Sequence, residues 1–544
     1  MDAMSLDEPV LQLQQLVDRL ARRLRLGSAP EAGPRRRFLI VQIDGLSRSV
    51  LEQALAEGRM PFLRRLLERH RHRLRPMCVG LPSSTPAFQM ALMYGVRPDI
   101  PGFHYHDKRQ RRDIYFPRGG DAAMVEATHA RGRLGILAGG SAYGCVFTGG
   151  AVNNLFSFAM MKRPSGAGLL RAVSAFVVLI WVVIKCLALT IVEIVRALLR
   201  LVADPVGEGA RGWKWLGLKI TMSVWLRELF TLVTSRDLYA GVPAIYVNYL
   251  DYDVFAHSFG PRHRRSLHAL RRVDRSIHQL WRVARRVPGH RYDLYVLSDH
   301  GQTPSVPYQK ISGGRPFERV FFEDLLPAGV VEISPAHPDH RRLASGIKAL
   351  RQGRAPGMFQ RFVNYLEKDF PWMLRQTPEV REQAGVRVIA AGPNAFVYFL
   401  DDDQPLGLEQ IEQRFPGLAD ELSRGRGIGF VLARSSAGPV CLWRGKRYVV
   451  ADEATGPLLG REDGALVTQG IRDLMAMPSA GDLVIYGNDS PEGTISYVPE
   501  VGAHAGPSAD ELYTFIVSPP DRSPSLPITH PRELYSHFVM YREG

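Results

Sequence analysis

Three short apolar runs in this chain each end in acidic or imidazole residues, and that pattern limits the available folds more than any other. Phe38 to Ile43 leads into Asp44-Gly45, Ala244 to Leu250 into Asp251-Tyr252-Asp253, and Tyr292 to Leu297 into Ser298-Asp299-His300-Gly301. Runs this short, bounded by turn residues, read as strands. Helical patterns lie between them. A helix follows Gly45 to about residue 70, and Pro86 to Tyr94 reads as a helix closed by Gly95. Arg264 to Val287 places Leu267, Leu270, Val273, Ile277 and Leu280 on one helical face. Strands alternating with helices predict an α/β fold, a mostly parallel sheet flanked by helices. Open sheets of this kind place their sites at the carboxyl ends of the strands, where the acids and imidazoles fall.

Composition agrees with a large buried core. Of 544 residues, 45% are hydrophobic and 23% charged, which excludes disorder, collagen-like repeats or a coiled coil for the bulk of the chain. Lys and Arg total 69 against 54 Asp and Glu, a net charge of +15 that suits an anionic partner. No nucleic-acid module or stacking aromatic run accompanies the charge, so specific nucleic-acid binding is not expected. Cys78, Cys145, Cys186 and Cys441 lack CxxC spacing and define neither a disulfide framework nor a zinc knuckle. Arg35-Arg36-Arg37 imitates a twin-arginine signal, but the apolar run after it is short and breaks at Gln42 and Asp44. The expected location is therefore the cytoplasmic side.

The candidate chemistry lies in three carboxylates and three imidazoles. Asp44, Asp253 with His257 four residues on, and Asp299-His300 each follow a strand, and His504 sits in the loose loop Gly502-Ala503-His504-Ala505-Gly506. Mixed oxygen and nitrogen donors suit zinc or manganese, and six are enough for two ions. Thr85 is the candidate nucleophile. With Pro86 at the first helical position, Thr85 falls at the N-cap, where the helix dipole favours a bound phosphate. Ser83 and Ser84 are competing hydroxyls.

These residues together resemble the alkaline phosphatase superfamily. The motifs are Asp44-Gly45, Thr85 ten residues before Gly95, Asp253-Val254-Phe255-Ala256-His257 followed by Gly260-Pro261, Ser298-Asp299-His300-Gly301, and the late His504. The branch most similar is the type I phosphodiesterase/nucleotide pyrophosphatase group. The resemblance covers roughly residues 37–160, 235–303 and 480–544. It implies two divalent metals, zinc first and manganese second. Asp253, His257 and His504 would hold one ion, and Asp44, Thr85, Asp299 and His300 the other. It also implies attack by Thr85 on a phosphate ester and a phosphothreonine intermediate. Transfer to an alcohol acceptor, phosphomonoester hydrolysis and an inactive binding protein are the alternatives. The chain departs from the family at Thr85-Pro86-Ala87-Phe88, where Thr-x-Pro-Asn is usual. It departs again at Gly102-Phe103-His104-Tyr105-His106-Asp107, where Tyr105 or His106 would stand in for a phosphate-binding asparagine.

Six segments follow: an amphipathic helix and linker (1–36), core (37–160), an apolar helical insertion (161–234), core (235–302), a smaller cap insertion (303–480) and core (481–544). Ala172 to Val192 is long enough to span ~30 Å of hydrocarbon. Trp213 to Val233 carries Lys214, Lys219, Arg227 and Glu228 and reads as interfacial. Ligands precede and follow both segments, so the number of crossings must be even. The expectation is a monotopic insertion on an anionic membrane surface, beside a lipid-linked or nucleotide phosphate ester. Use of the apolar pair in a homo-oligomer is the alternative.

Overall fold

The computed structural model describes residues 36–155, 183–199, 217, 220–287, 289–326, 381–383, 385–451 and 454–543. The expected helix over 8–26 and residues 172–182 of the apolar run lie outside them.

The three strands are present and adjacent. Arg36–Ile43 pairs in parallel with Ala244–Tyr249 on one side and Arg291–Leu297 on the other. Gln42 stands opposite both Asn248 and Leu297, so the three strands end level and deliver Asp44, Asp253 and Asp299 to one edge. The seven-stranded sheet runs Arg73–Cys78, Tyr513–Ser518, Arg291–Leu297, Arg36–Ile43, Ala244–Tyr249, Ser141–Tyr143, Asn153–Leu155. Only Tyr513–Ser518 opposes the rest, as the mostly parallel expectation requires.

Alternation along the central strand sends neighbouring side chains to opposite faces. Phe38 and Ile40 join Phe88, Met90 and Phe538 in one core cluster. Leu39 and Val41 join the opposite one, with Leu267, Leu270, Val273, Ile277 and Leu280 of helix Arg264–Arg286. Burying each such side chain stabilises the fold by roughly 1.5–3 kcal/mol. His268, Arg271 and Arg275 between them are exposed, which makes the helix amphipathic.

The second apolar segment, expected to be interfacial, is described at residue 217 and from 220 onward. Its later half belongs to helix Arg227–Ala240, where Phe230 and Leu238 pack in the core with Ile245 and Val247. Arg227 and Glu228 are paired inside the protein, whereas Lys214 and Lys219 lie outside the described residues. Arg227 pairs with Glu228 (2.9 Å) and Asp251 (3.3 Å), and Lys185 pairs with Glu228 (2.7 Å). Among the described residues no helix is long and apolar enough to cross a membrane.

The region after Gly301 builds a second seven-stranded sheet, antiparallel throughout. Its order is Arg381–Gln383, Val386–Ala390, Asn394–Phe399, Leu483–Gly487, Ile428–Ser435, Gly438–Trp443, Lys446–Val449. Strand Leu483–Gly487, placed by the sequence in the last core segment, is thus the middle of this sheet. One of its faces packs on the core through Leu81 and Leu512. A four-stranded sheet joins the two units: Asp489–Ser490, Gly493–Ser496, Thr303–Pro307 and Gly502–Ala503. It begins just after His300 and ends just before His504.

Candidate metal centre and nucleophile

Each site residue is placed by local chain chemistry. Asp44 and Gly45 turn the chain off the central strand, with Gly45 at φ +73°. A Cβ there would lie 2.6 Å from Asp253 Oδ1, so glycine is needed for the close approach as well as for the turn. Asp253 and His257 lie one turn apart on helix Asp251–Phe259, which brings their side chains together: His257 Nε2 is 3.4 Å from Asp253 Oδ1. Helix Thr85–Tyr94 begins one residue earlier than its proline suggests. Ser84 is the N-cap and Thr85 the first helical residue. Thr85 therefore does not cap, and its Oγ1 lies 3.2 Å from His300 Nε2. The helix closes at Gly95 with φ +67°, as expected.

All three imidazoles are turned the same way. His257 Nδ1 meets the Gly502 carbonyl at 2.8 Å, His300 Nδ1 the Gly301 carbonyl at 3.0 Å, and His504 Nδ1 the Ser83 carbonyl at 3.0 Å. A carbonyl only accepts, so each Nδ1 presents a proton to it and each Nε2 faces the cluster. Against the penalty of burial, Asp253 and Glu500 hold the His257 imidazole well above its usual range. Asp44, Asp299 and His300 present donor atoms within 4.8 Å of one another, and so do Asp253, His300 and His504. His300 Nε2 lies 3.7 Å from Asp44 Oδ1 and 3.5 Å from Asp299 Oδ2. The His300 and His504 rings stack at 3.8 Å, and His257 lies 5.1 Å from His504. Asp44, Thr85, Asp299 and His300 are buried, whereas Asp253, His257 and His504 are half-buried.

The electrostatics of this cluster call for a cation. Burial, with Asp299 and Asp253 facing it, pushes the Asp44 carboxyl well above the usual range. Burial also raises Asp299, against the pull of His300 and Thr85. Burial would raise Asp253 too, but the His257 imidazole beside it holds it well below the usual range. Burial, with two imidazoles nearby, keeps His504 low and therefore neutral. Asp299 Oδ2 is buried with no hydrogen bond of good geometry among the described residues. Crowded carboxylates and imidazole nitrogens form a donor set that fits divalent zinc or manganese.

Around these residues lies a layer of amides that motif reading passed over. Asp44 Oδ2 accepts from Asn248 Nδ2 (2.6 Å) and Gln42 Nε2 (3.4 Å). Gln42 Oε1 in turn accepts from Tyr246 OH (2.6 Å) and from Gln89 Nε2 (3.1 Å), on the helix that carries Thr85. Gln302 donates to Asp253 Oδ1. The available signal was a polar residue inside an apolar strand: Gln42 and Asn248 occupy such positions and are fully buried. Ser83 holds the His504 loop from below, accepting from Ala505 N (3.1 Å) and donating to the Gly506 carbonyl (3.1 Å). Ser84 Oγ is buried without a hydrogen-bond partner among the described residues, so neither competing serine faces His300 as Thr85 does.

The two residues suggested for phosphate binding have contacts elsewhere. Tyr105 is packed in the core near Phe116. His106 Nδ1 lies 2.7 Å from Asp113, in a cluster with Arg387. Neither contacts the seven site residues among the described residues.

Residues 218–371 match the family model of type I phosphodiesterase/nucleotide pyrophosphatase. That span carries Asp253, His257, Asp299 and His300. Comparison with curated proteins gives no match. Among solved structures, the chain is similar to phosphonoacetate hydrolase from Sinorhizobium meliloti 1021 in complex with phosphonoformate. The identity is 15%, over 93% of this chain and 96% of that one, with a TM-score of 0.45. The complex of that enzyme with phosphonoacetate gives 14% identity, the same coverage and a TM-score of 0.44. Four of the site residues lie inside the matched span, and over that span the chain is similar to phosphoric ester hydrolases of the type I phosphodiesterase/nucleotide pyrophosphatase family.

Proposed function

We propose that the protein cleaves a phosphodiester or pyrophosphate bond through a covalent phosphothreonine at Thr85. The observation that carries this reading is the convergence of Asp44, Asp253, Asp299 and His504 on His300, beside the Thr85 hydroxyl, with His257 outside both donor groups but against Asp253. Asp253, His257 and His504 would hold one divalent ion, and Asp44, Thr85, Asp299 and His300 a second. Such ions supply charge neutralisation at phosphoryl oxygens and lower the pKa of a hydroxyl or water.

The chain's own residues do the rest. Thr85 Oγ1 attacks phosphorus in line, forming the new P–O bond as the alkoxide or phosphate leaving group departs. The first turn of its helix, short of intrahelical acceptors for its amides, faces the phosphoryl oxygens and favours their charge. The amide layer of Gln42, Asn248 and Gln89 keeps Asp44 and the Thr85 helix in fixed relation. Water then attacks the phosphothreonine, releasing phosphate ester and restoring the hydroxyl.

The proposed substrate is a lipid-linked phosphate ester met at an anionic membrane surface. A helix over 183–199 leaves Ile184, Leu187, Ile191, Val195 and Leu198 exposed at helical spacing, and this supports contact with lipid. The experiment has two arms. Bis(p-nitrophenyl) phosphate should be turned over, abolished by chelator and restored by zinc or manganese. Full activity in a metal-free preparation would end the metal reading. In the second arm, the protein should float with phosphatidylglycerol vesicles, and Leu187→Asp with Ile191→Asp should stay behind. Equal flotation of the two would end the membrane reading and favour a soluble nucleotide.

A further inference from the structure

The sequence motifs stop at the ligands, and one carboxylate beside them has no role in the reaction proposed above. Glu500 lies four residues before His504, and its Oε2 is 2.9 Å from His257 Nδ1. Its side chain is only 14% exposed, and its one ion-pair partner among the described residues is that imidazole. His257 thus stands between two carboxylates, with Asp253 at Nε2 and Glu500 at Nδ1.

We infer that Glu500 is a positioning residue for His257, fixing the ring's orientation and strengthening its Nε2 as a metal donor. This rests on the reading of His257 as a ligand. Metal-binding imidazoles commonly donate the remote N–H to an oxygen acceptor, and a carboxylate there makes the ring a stronger base. The Gly502 carbonyl already accepts from Nδ1. Glu500 adds a charge-assisted acceptor on the same proton.

Glu500 is itself held in place. Its Oε1 accepts from Ser496 Oγ at 2.7 Å, and its carbonyl accepts from Ser305 Oγ at 3.0 Å. Ser496 ends strand Gly493–Ser496, which pairs in parallel with Thr303–Pro307 just beyond His300. The next residue, Val501, donates its N–H to the His257 carbonyl at 2.9 Å. Three consecutive residues, 500 to 502, thus grip one histidine by its side chain and its backbone. The same segment touches the second sheet. A Cβ on Gly392, at the turn between strands Val386–Ala390 and Asn394–Phe399, would come 3.1 Å from the His504 carbonyl and 3.6 Å from Glu500 Oε1. The joining sheet therefore sets the position of His257 relative to the rest of the centre.

The test measures zinc affinity of the full-length protein against a buffered chelator, by metal analysis after equilibration, together with the melting temperature of the metal-free form. Glu500→Ala should weaken zinc binding ten- to a hundredfold with little change in metal-free melting. Glu500→Gln keeps an oxygen acceptor and should recover part of the loss. The Nδ1 proton resonance of His257 should move upfield in both variants. Zinc affinity within twofold of wild type in Glu500→Ala would overturn the inference. If Glu500→Ala does not fold, Ser496→Ala removes only the bond that orients the carboxylate and should weaken zinc binding severalfold; wild-type affinity there would overturn it equally. A wild-type protein that binds no zinc or manganese would instead remove the reading beneath it, which is a different result.

Discussion

The two large sheets have seven strands each, and each contains a buried aspartate at a strand end, but the two acids are used in opposite ways. Asp482, beside the second sheet, has its oxygens filled: Leu406 N donates at 2.7 Å, Phe399 N at 2.8 Å, and Lys108 Nζ lies 3.1 Å away. Asp299, at the edge of the first sheet, receives one long bond from Gly45 N at 3.3 Å, and among the described residues its Oδ2 has only Thr85 and the His300 imidazole, 3.5 Å away, beside it. A buried acid surrounded by donors is a structural staple. A buried acid facing other lone pairs is a donor suited to a cation. The difference follows from topology. Parallel strands send all their carboxyl ends to one edge, where acids collect. Antiparallel strands divide their ends between two edges, and both ligand groups found among the described residues lie at the first sheet.

The strongest way to break this contrast is at the nucleophile. Thr85→Ala should lower diester turnover by on the order of 10³ or more, with metal content and melting unchanged. Activity within a few fold of wild type would remove the covalent route. The aspartates provide the crossed experiment. Asp482→Asn leaves the Lys108 ammonium buried opposite a neutral amide and should destabilise by about 3–5 kcal/mol in urea titration, without changing zinc affinity. Asp299→Asn should do the reverse: zinc occupancy falls, while the metal-free protein is as stable as wild type or more so, because a carboxylate crowding Asp44 is gone. If both variants lost stability and kept zinc, the two acids would be equivalent and the contrast wrong.

A smaller effect is expected in the amide layer. Asn248→Ala removes the 2.6 Å donor to Asp44 and should cost roughly ten- to a hundredfold in kcat/KM. The smallest is a pH effect at Glu511, which accepts from Gly506 N and from Ser508 Oγ (2.8 Å) and so braces the His504 loop. Burial pushes its carboxyl up to about 8. The folded state therefore prefers the neutral acid. The stability this contributes is complete below the unfolded value near 4.3 and is lost as pH rises through about 8. Glu511→Gln, neutral throughout, should flatten the decline in unfolding free energy between pH 5 and pH 8.5. A wild-type slope in the variant would place that decline elsewhere.

The ligands were legible because each follows an apolar strand and because acids and imidazoles have few other uses there. The order of the strands was not: Asn394–Phe399 pairs with Leu483–Gly487 across three further strands of the same sheet and the helices among them, which local periodicity does not report. Glu500 was hidden for a similar reason. It meets His257 across more than two hundred residues, and nothing near Glu500 in the chain marks it. Gln42 was visible only as an interruption of an apolar run, when it is in fact the acceptor shared by Tyr246 and Gln89. The start of the Thr85 helix was misread by one residue, since proline fits either of the first two helical positions. Arg227 and Glu228 of the second apolar segment count against membrane insertion in the sequence, which does not show that Asp251 and Lys185 lie in reach of them.

The turn at Gly45 carries a consequence for how this chain can drift over generations. Gly58 also has positive φ, but nothing lies within 4 Å of a Cβ placed there. Asparagine or aspartate at 58 would meet only the backbone preference, a cost of roughly 1–2 kcal/mol. At 45 the same preference is joined by Asp253 Oδ1 at 2.6 Å, so even one added methyl group drives apart the turn after the first strand and the helix after another. In a population of variants sorted for activity, position 58 should accumulate small polar residues while position 45 stays monomorphic. Two glycines with nearly the same backbone angle would thus record different histories, one of turn geometry alone and one of the distance between two carboxylates.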